Sequence, residues 1–161
     1  MASTGRRRFL RGAAAAPLAL LARPPAAGAT DYASAEEVLD AIDRREAEAE
    51  VRLAAIARAV GGAEPFARSV AADDARHRVE REKLRRRLKL AASTPPVPPA
   101  KPDASLARLR EAQQQLVHAH AEGLPALGDA GAVAVLARHM VDASRHLTVI
   151  DLWIEAEDVR G

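Results

Sequence analysis

From Ser34 onward the apolar residues recur every three or four positions, in four blocks separated by glycine and proline. That spacing collects apolar side chains on one stripe of an α-helix. The first stripe holds Val38, Leu39, Ile42, Leu53, Ile56 and Val60, and the second Phe66, Val70, Leu84 and Leu88. The third holds Leu106, Leu109, Leu116, Val117 and Leu124. The fourth holds Val133, Leu136, Met140, Leu147, Ile150 and Ile154, with Trp153 beside them, and Met140 and Trp153 read as core filling. No run alternates β-branched with polar residues, so no strand is expected. Each helix has one apolar side only and must bury it against the others, which predicts an all-α four-helix bundle with axes about 20° apart.

Local signals set the boundaries. Ser34-Ala35-Glu36-Glu37 is a capping box that opens the first helix. Gly61-Gly62 closes it, because a left-handed backbone is cheap for glycine. The second helix begins near Glu64, with Pro65 in a first turn where its missing N–H costs nothing, and runs to about Ala92. Residues 93–102 carry five prolines and cannot be helical. The third helix is capped by Asp103 or Ser105 and stops near Gly123, before Pro125; the fourth is capped by Asp129 and runs to about Asp158. Ten residues of extended polyproline span about 31 Å, close to the roughly 30 Å of a 20-residue helix. The linker is therefore read as a crossover between helices 2 and 3, the alternative being a surface loop in an up-down-up-down bundle.

Polar residues interrupt the stripes. Glu46 stands between Ile42 and Leu53 on the first helix. Asp73 or Asp74, and then His77, stand between Val70 and Leu84 on the second. The third carries Gln113 and, further on, His120. On the fourth, His139 and His146 flank the apolar stripe, and Asp142 is expected to turn well away from it. Buried carboxylates and imidazoles cost several kcal/mol unless they are paired or hold a metal. One reading is a hydrogen-bonded core layer of Glu46, Asp73, His77, Gln113 and His120, in which Glu46 meets His77 or an inward-reaching arginine. The other is a single divalent ion held by Glu46, Asp74, His77 and His146, where neutral imidazoles suit zinc or copper.

Glu46, Asp74-Ala75-Arg76-His77, Gln113 and Ala143-Ser144-Arg145-His146 fall where carboxylate-bridged di-iron bundles place a Glu, a Glu-x-x-His, a Glu and a second Glu-x-x-His. Over residues 34 to 158 the chain thus resembles the ferritin-like family. The segment from His77 to Leu84, followed by a proline-rich stretch, is similar to exported bacterial ferritin-like proteins of unknown function. The resemblance implies a ferritin-like bundle and iron as the family metal. Two departures weaken the iron site: Gln113 is a neutral amide, and the fourth helix offers no inward acid. Two irons need several anionic oxygens to offset their charge. The function expected is a non-catalytic binding or interaction module with a degenerate metal site. The alternative is a metal-binding redox or storage protein using the mid-bundle carboxylate and histidine groups.

Composition redirects one inference. The 24 Lys and Arg exceed the 22 Asp and Glu, a formal +2. Residues 1–29, however, hold five arginines and no acid, then a short apolar run broken by Pro17, then Ala27-Gly28-Ala29. This is the three-part pattern of a secretory signal, with cleavage expected after Ala29. Arg6-Arg7-Arg8-Phe9-Leu10-Arg11 resembles the twin-arginine signal family, with Arg6 and Arg7 as the pair followed by Phe9 and Leu10. That resemblance implies the twin-arginine export machinery as a partner and a periplasmic or extracellular location, with membrane attachment only through an uncleaved signal. The domain of residues 30–161 then keeps 19 bases against 22 acids, a net of −3. With that balance and four aromatic residues, a nucleic-acid partner is not expected. The absence of cysteine excludes disulfides, thiolate metal sites and thiol nucleophiles. Eight bases and two acids between Arg76 and Lys89 face seven acids and three bases between Glu36 and Arg52, which favours pairing of helices 1 and 2 through flanking surface charges. The alternative reading of the basic run is a face for an acidic partner or an anionic membrane surface, and an unidentified protein or a second copy forming a homo-oligomer is the partner left open.

Overall fold

The computed structural model describes residues 32–60, 62–94 and 105–159. The export signal expected over residues 1–29, with Arg6, Arg7, Phe9, Leu10, Ala27 and Ala29, lies outside the described residues, as do Gly61, Asp103 and most of the proline segment. The described chain forms α1 (Ala35–Ala59), α2 (Glu64–Leu88), α3 (Leu106–Gly123), a single 3-10 turn (Leu124–Leu127) and α4 (Ala130–Asp158). Among the described residues there is no strand, and the four helices pack on one another as an all-α bundle compatible with a ferritin-like fold.

The caps act where the sequence placed them, with two adjustments. Ser34 Oγ accepts the Glu37 N–H at 3.2 Å, while the Glu37 carboxylate reaches back to the N–H of Ala33, one residue earlier than in the expected box. Ser105 Oγ accepts the Arg108 N–H at 3.2 Å, and Asp129 Oδ1 accepts the Ala132 N–H at 2.7 Å. The second adjustment is at the end of α2, which stops at Leu88 and not near Ala92. Lys89 adopts a left-handed φ of 58°, and the Leu90 N–H closes onto the Arg85 carbonyl. With the Lys89 N–H also turned to the Arg85 and Arg86 carbonyls, this bond closes the helix four residues before the expected end.

Two apolar clusters fix the direction of every helix. One joins Val38, Leu39 and Ile42 at the start of α1 to Leu84 near the end of α2, Leu116 and Val117 of α3, and Ala132 and Leu136 at the start of α4. The other joins Leu53 and Ile56 of α1 to Val70 of α2, Leu106 and Leu109 at the start of α3, and Ile150 of α4, with Phe66 edge-on to Trp153 at 4.9 Å. Hence α2 ends at one end of the bundle and α3 begins at the other. The second and third helices therefore run in the same direction, the arrangement that the expected crossover requires. The most extensive interfaces are α1 with α3 and α3 with α4, with α2 lodged beside α1 and α4. Burying each large aliphatic side chain contributes about 1.5–3 kcal/mol, so these two clusters carry most of the stability and bracket what lies between them.

One contact is tight enough to test. A β-carbon on Gly123 would overlap Cγ1 of Val38, which is fully buried. Gly123→Ala is expected to lower the unfolding free energy by about 1–3 kcal/mol through overpacking. Urea denaturation should show part of that loss recovered when Val38→Ala is added. An unchanged midpoint in the single variant would contradict the packing described.

Candidate functional site

Between the two apolar clusters the bundle is polar. Asp40, Asp43 and Glu46 follow one another at three-residue spacing on α1, and Arg81 and Arg85 at four-residue spacing face them from α2. The Arg81 guanidinium takes both oxygens of Glu46, through Nη1 to Oε1 at 3.0 Å and through Nη2 to Oε2, and its Nε donates to Asp43 Oδ1 at 2.7 Å. Arg85 Nη2 donates to Asp40 Oδ1 at 2.7 Å and to Asp43 Oδ2 at 2.9 Å. Ser93 Oγ completes the shell of Asp43 at 2.7 Å. Burial alone would raise the Asp43 carboxyl, but Arg81, Ser93 and Arg85 outweigh it and hold it below its ordinary value. The same pairing lifts Arg81 and Arg85 above the ordinary guanidinium value despite their burial.

Both arginines are 1% exposed. The sequence put them in a run of flanking surface charges, where a pair contributes about 0–1 kcal/mol. Only the possibility of an inward-reaching arginine on Glu46 anticipated this arrangement. Pairing of α1 with α2 is therefore governed by a desolvated network, in which losing one partner costs about 3–5 kcal/mol.

On the other side of Glu46 lie Asp74 and His77, both buried. One ligand atom from each of Glu46, Asp74 and His77 lies within 4.8 Å of the other two. Burial, and then the negative charge of Glu46, push the Asp74 carboxyl up to about 8, so it is a neutral acid at pH 7. His77 turns Nδ1 toward Glu46 Oε1 at 3.9 Å, and Nε2 lies 3.1 Å from Asp142 Oδ2. Asp142 thus faces the site from α4, where the helical phase had turned it away. Burial alone would raise Asp142, but His77, Arg145 and Arg76 hold it below its ordinary value.

The remaining polar residues divide. His146 is not brought to the Glu46 group: its Nε2 lies 3.2 Å from Asp73 Oδ2, and its ring meets Phe66 edge-on at 6.0 Å. Asp73 points to that pair and to Arg76 rather than to Glu46. Gln113 spends its amide on the Ala143 carbonyl at 3.0 Å, tying α3 to α4. His139 stacks on His77 with ring centres 4.0 Å apart, and His120 meets His139 edge-on at 6.2 Å. His77, His139 and His120 therefore form a file of imidazoles in the core. Burial lowers His120 to about 3 and His139 to about 4, so both are neutral. Arg81, Arg85, Asp43 and Glu80 are the participants that sequence reasoning did not single out. The three-residue spacing of the α1 acids and the four-residue spacing of the two arginines were the signal available.

No match to the chain is found among protein-family models, curated proteins or solved structures. Among the described residues, no helix is long and apolar enough to cross a membrane.

Proposed function

We propose that this chain is an exported, ferritin-like helical bundle that serves as a non-catalytic binding or interaction module, with a degenerate metal site whose cation position is taken by its own Arg81. The observation that carries the reading is the buried guanidinium spanning both oxygens of Glu46. A guanidinium is permanently charged and matches a carboxylate in two parallel hydrogen bonds. It supplies the positive charge that an iron ion supplies in the family, and it engages both Glu46 oxygens. The neutral amide of Gln113 and the protonated Asp74 fit the same account, because further anionic ligands have no cation to serve there.

The second reading, a metal-binding redox or storage protein, draws on the convergence of Glu46, Asp74 and His77. A metal at that place has to displace Arg81 and take the Asp74 proton. Elemental analysis of protein purified from its exported location, together with thermal unfolding with and without added ferrous iron and manganese, separates the two. The expected result is less than a tenth of an equivalent of either metal and an unchanged Tm. One equivalent or more of iron, lost in Glu46→Gln and His77→Ala, would overturn the proposal in favour of the second reading.

A further inference from the structure

The file of imidazoles leaves two nitrogens unexplained. His120 places Nδ1 2.9 Å from the Leu116 carbonyl, so Nδ1 carries its proton and Nε2 presents a bare lone pair. His139 places Nε2 2.8 Å from Glu80 Oε2, so Nε2 carries its proton and Nδ1 presents the bare lone pair. Both residues are 1% exposed, and neither bare nitrogen has a hydrogen-bond partner among the described residues. A buried acceptor left unsatisfied costs about 1–3 kcal/mol, and here there are two in one layer. Imidazoles that bind metals show this arrangement: one ring nitrogen fixed by a carbonyl or carboxylate, the other free for the ion.

We propose that His120 Nε2 and His139 Nδ1 form a two-coordinate site for a monovalent soft cation, cuprous copper, distinct from the Glu46 group. With metal–nitrogen bonds of about 2.0 Å, two imidazoles held by one ion have ring centres no more than about 6.2 Å apart, a limit the pair meets with its rings at 81° to one another. The observed separation is 6.2 Å. His77 does not supply a third nitrogen within ligand distance of both, since the only set of three such donors that comes together among the described residues is Glu46, Asp74 and His77. Two neutral nitrogens without a carboxylate suit an ion that accepts two ligands. The positive charge of Arg81 bears on both rings and penalises a divalent ion more than a monovalent one. Glu80, which orients His139, also lines a groove of about 300 Å³ between α2 and α4 with Lys83, Arg87 and Arg138, so the site lies one hydrogen bond from the surface.

The site is independent of what occupies Glu46, and its variants differ from those that test Glu46. His139→Gln puts an amide N–H near the former Nε2, keeping the Glu80 bond and deleting Nδ1. His120→Asn puts an amide N–H near the former Nδ1, keeping the Leu116 bond and deleting Nε2. Anaerobic titration of the whole chain with copper(I) against a chromophoric chelator should give one equivalent bound. Affinity should fall at least 100-fold in either variant and stay within threefold in Asp74→Asn. A histidine ¹H–¹⁵N spectrum of the unaltered protein should show copper(I) shifting one nitrogen of each of two rings, which keeps the test valid if a variant does not fold. Copper(I) uptake equal in all variants, uptake lost in Asp74→Asn, or no shift of the His120 and His139 nitrogens would overturn the site.

Discussion

Arg81→Met is expected to lower the unfolding free energy by about 3–5 kcal/mol, enough to consume a large part of a small domain's stability. The loss comes from what stays behind. Glu46 is 2% exposed and loses both of its guanidinium hydrogen bonds, while Asp43 keeps Arg85 and Ser93. The damage is therefore centred on Glu46, and Arg81→Met combined with Glu46→Gln should recover more than half of it. Arg81→Lys should fall between, because a point charge cannot span Glu46 and reach Asp43 together. Urea denaturation of the four proteins checks the series. A loss below about 1 kcal/mol in Arg81→Met, the range of an exposed pair, would show that the network is not desolvated.

The second large effect depends on pH. Asp74 titrates at about 8 in the folded protein, against an ordinary value of 3.8. Between those values the native state holds a proton that the unfolded chain has released. The group's contribution is therefore complete below about pH 4 and is lost as pH rises through 8. The buried histidines have the opposite sign. His120, His139 and His146 are lowered by burial, so their contribution is present above the ordinary imidazole value and lost as pH falls. Between pH 7 and 9 those rings are neutral in both states, and Asp74 dominates. Asp74→Asn stays neutral throughout and should be more stable than the unaltered protein by a few kcal/mol at pH 9. The gap should narrow steadily toward pH 5. Parallel stability curves from pH 5 to 9 would mean that Asp74 is already ionised in the folded bundle.

The architecture was legible because its signals are local or periodic. Ser34, Ser105 and Asp129 each accept a backbone N–H at the helix start they were assigned, and the stripes of Leu, Ile and Val are the residues that fill the two clusters. The crossover was expected from the length of the proline segment, and α2 and α3 run in the direction it requires. The polar layer was legible as a set of positions and less so as a set of contacts. Glu46, Asp74 and His77 do converge, but whether an acid meets a metal, an imidazole or an arginine depends on side-chain reach across helices. Arginine hides this best: a long side chain rooted in a basic run looks solvated until its guanidinium is seen inside. Asp142 was misplaced for a related reason. Helical phase fixes its Cα direction, while the narrow α2–α4 seam lets its short carboxylate meet a histidine from the neighbouring helix.

The shared direction of α2 and α3 also orders the chemistry along the chain. Every ion pair of the Arg81 network lies within the α1–α2 hairpin, where partners are 35 to 45 positions apart. The α1–α3 interface joins residues as distant as Val38 and Gly123, 85 positions apart. Loop closure grows only slowly with length, but contacts at such separation still slow folding. The charged network is contained within α1 and α2, whereas His120 and His139 lie on α3 and α4. The ionic network of one hairpin thus meets the imidazoles of the other where His139 stacks on His77.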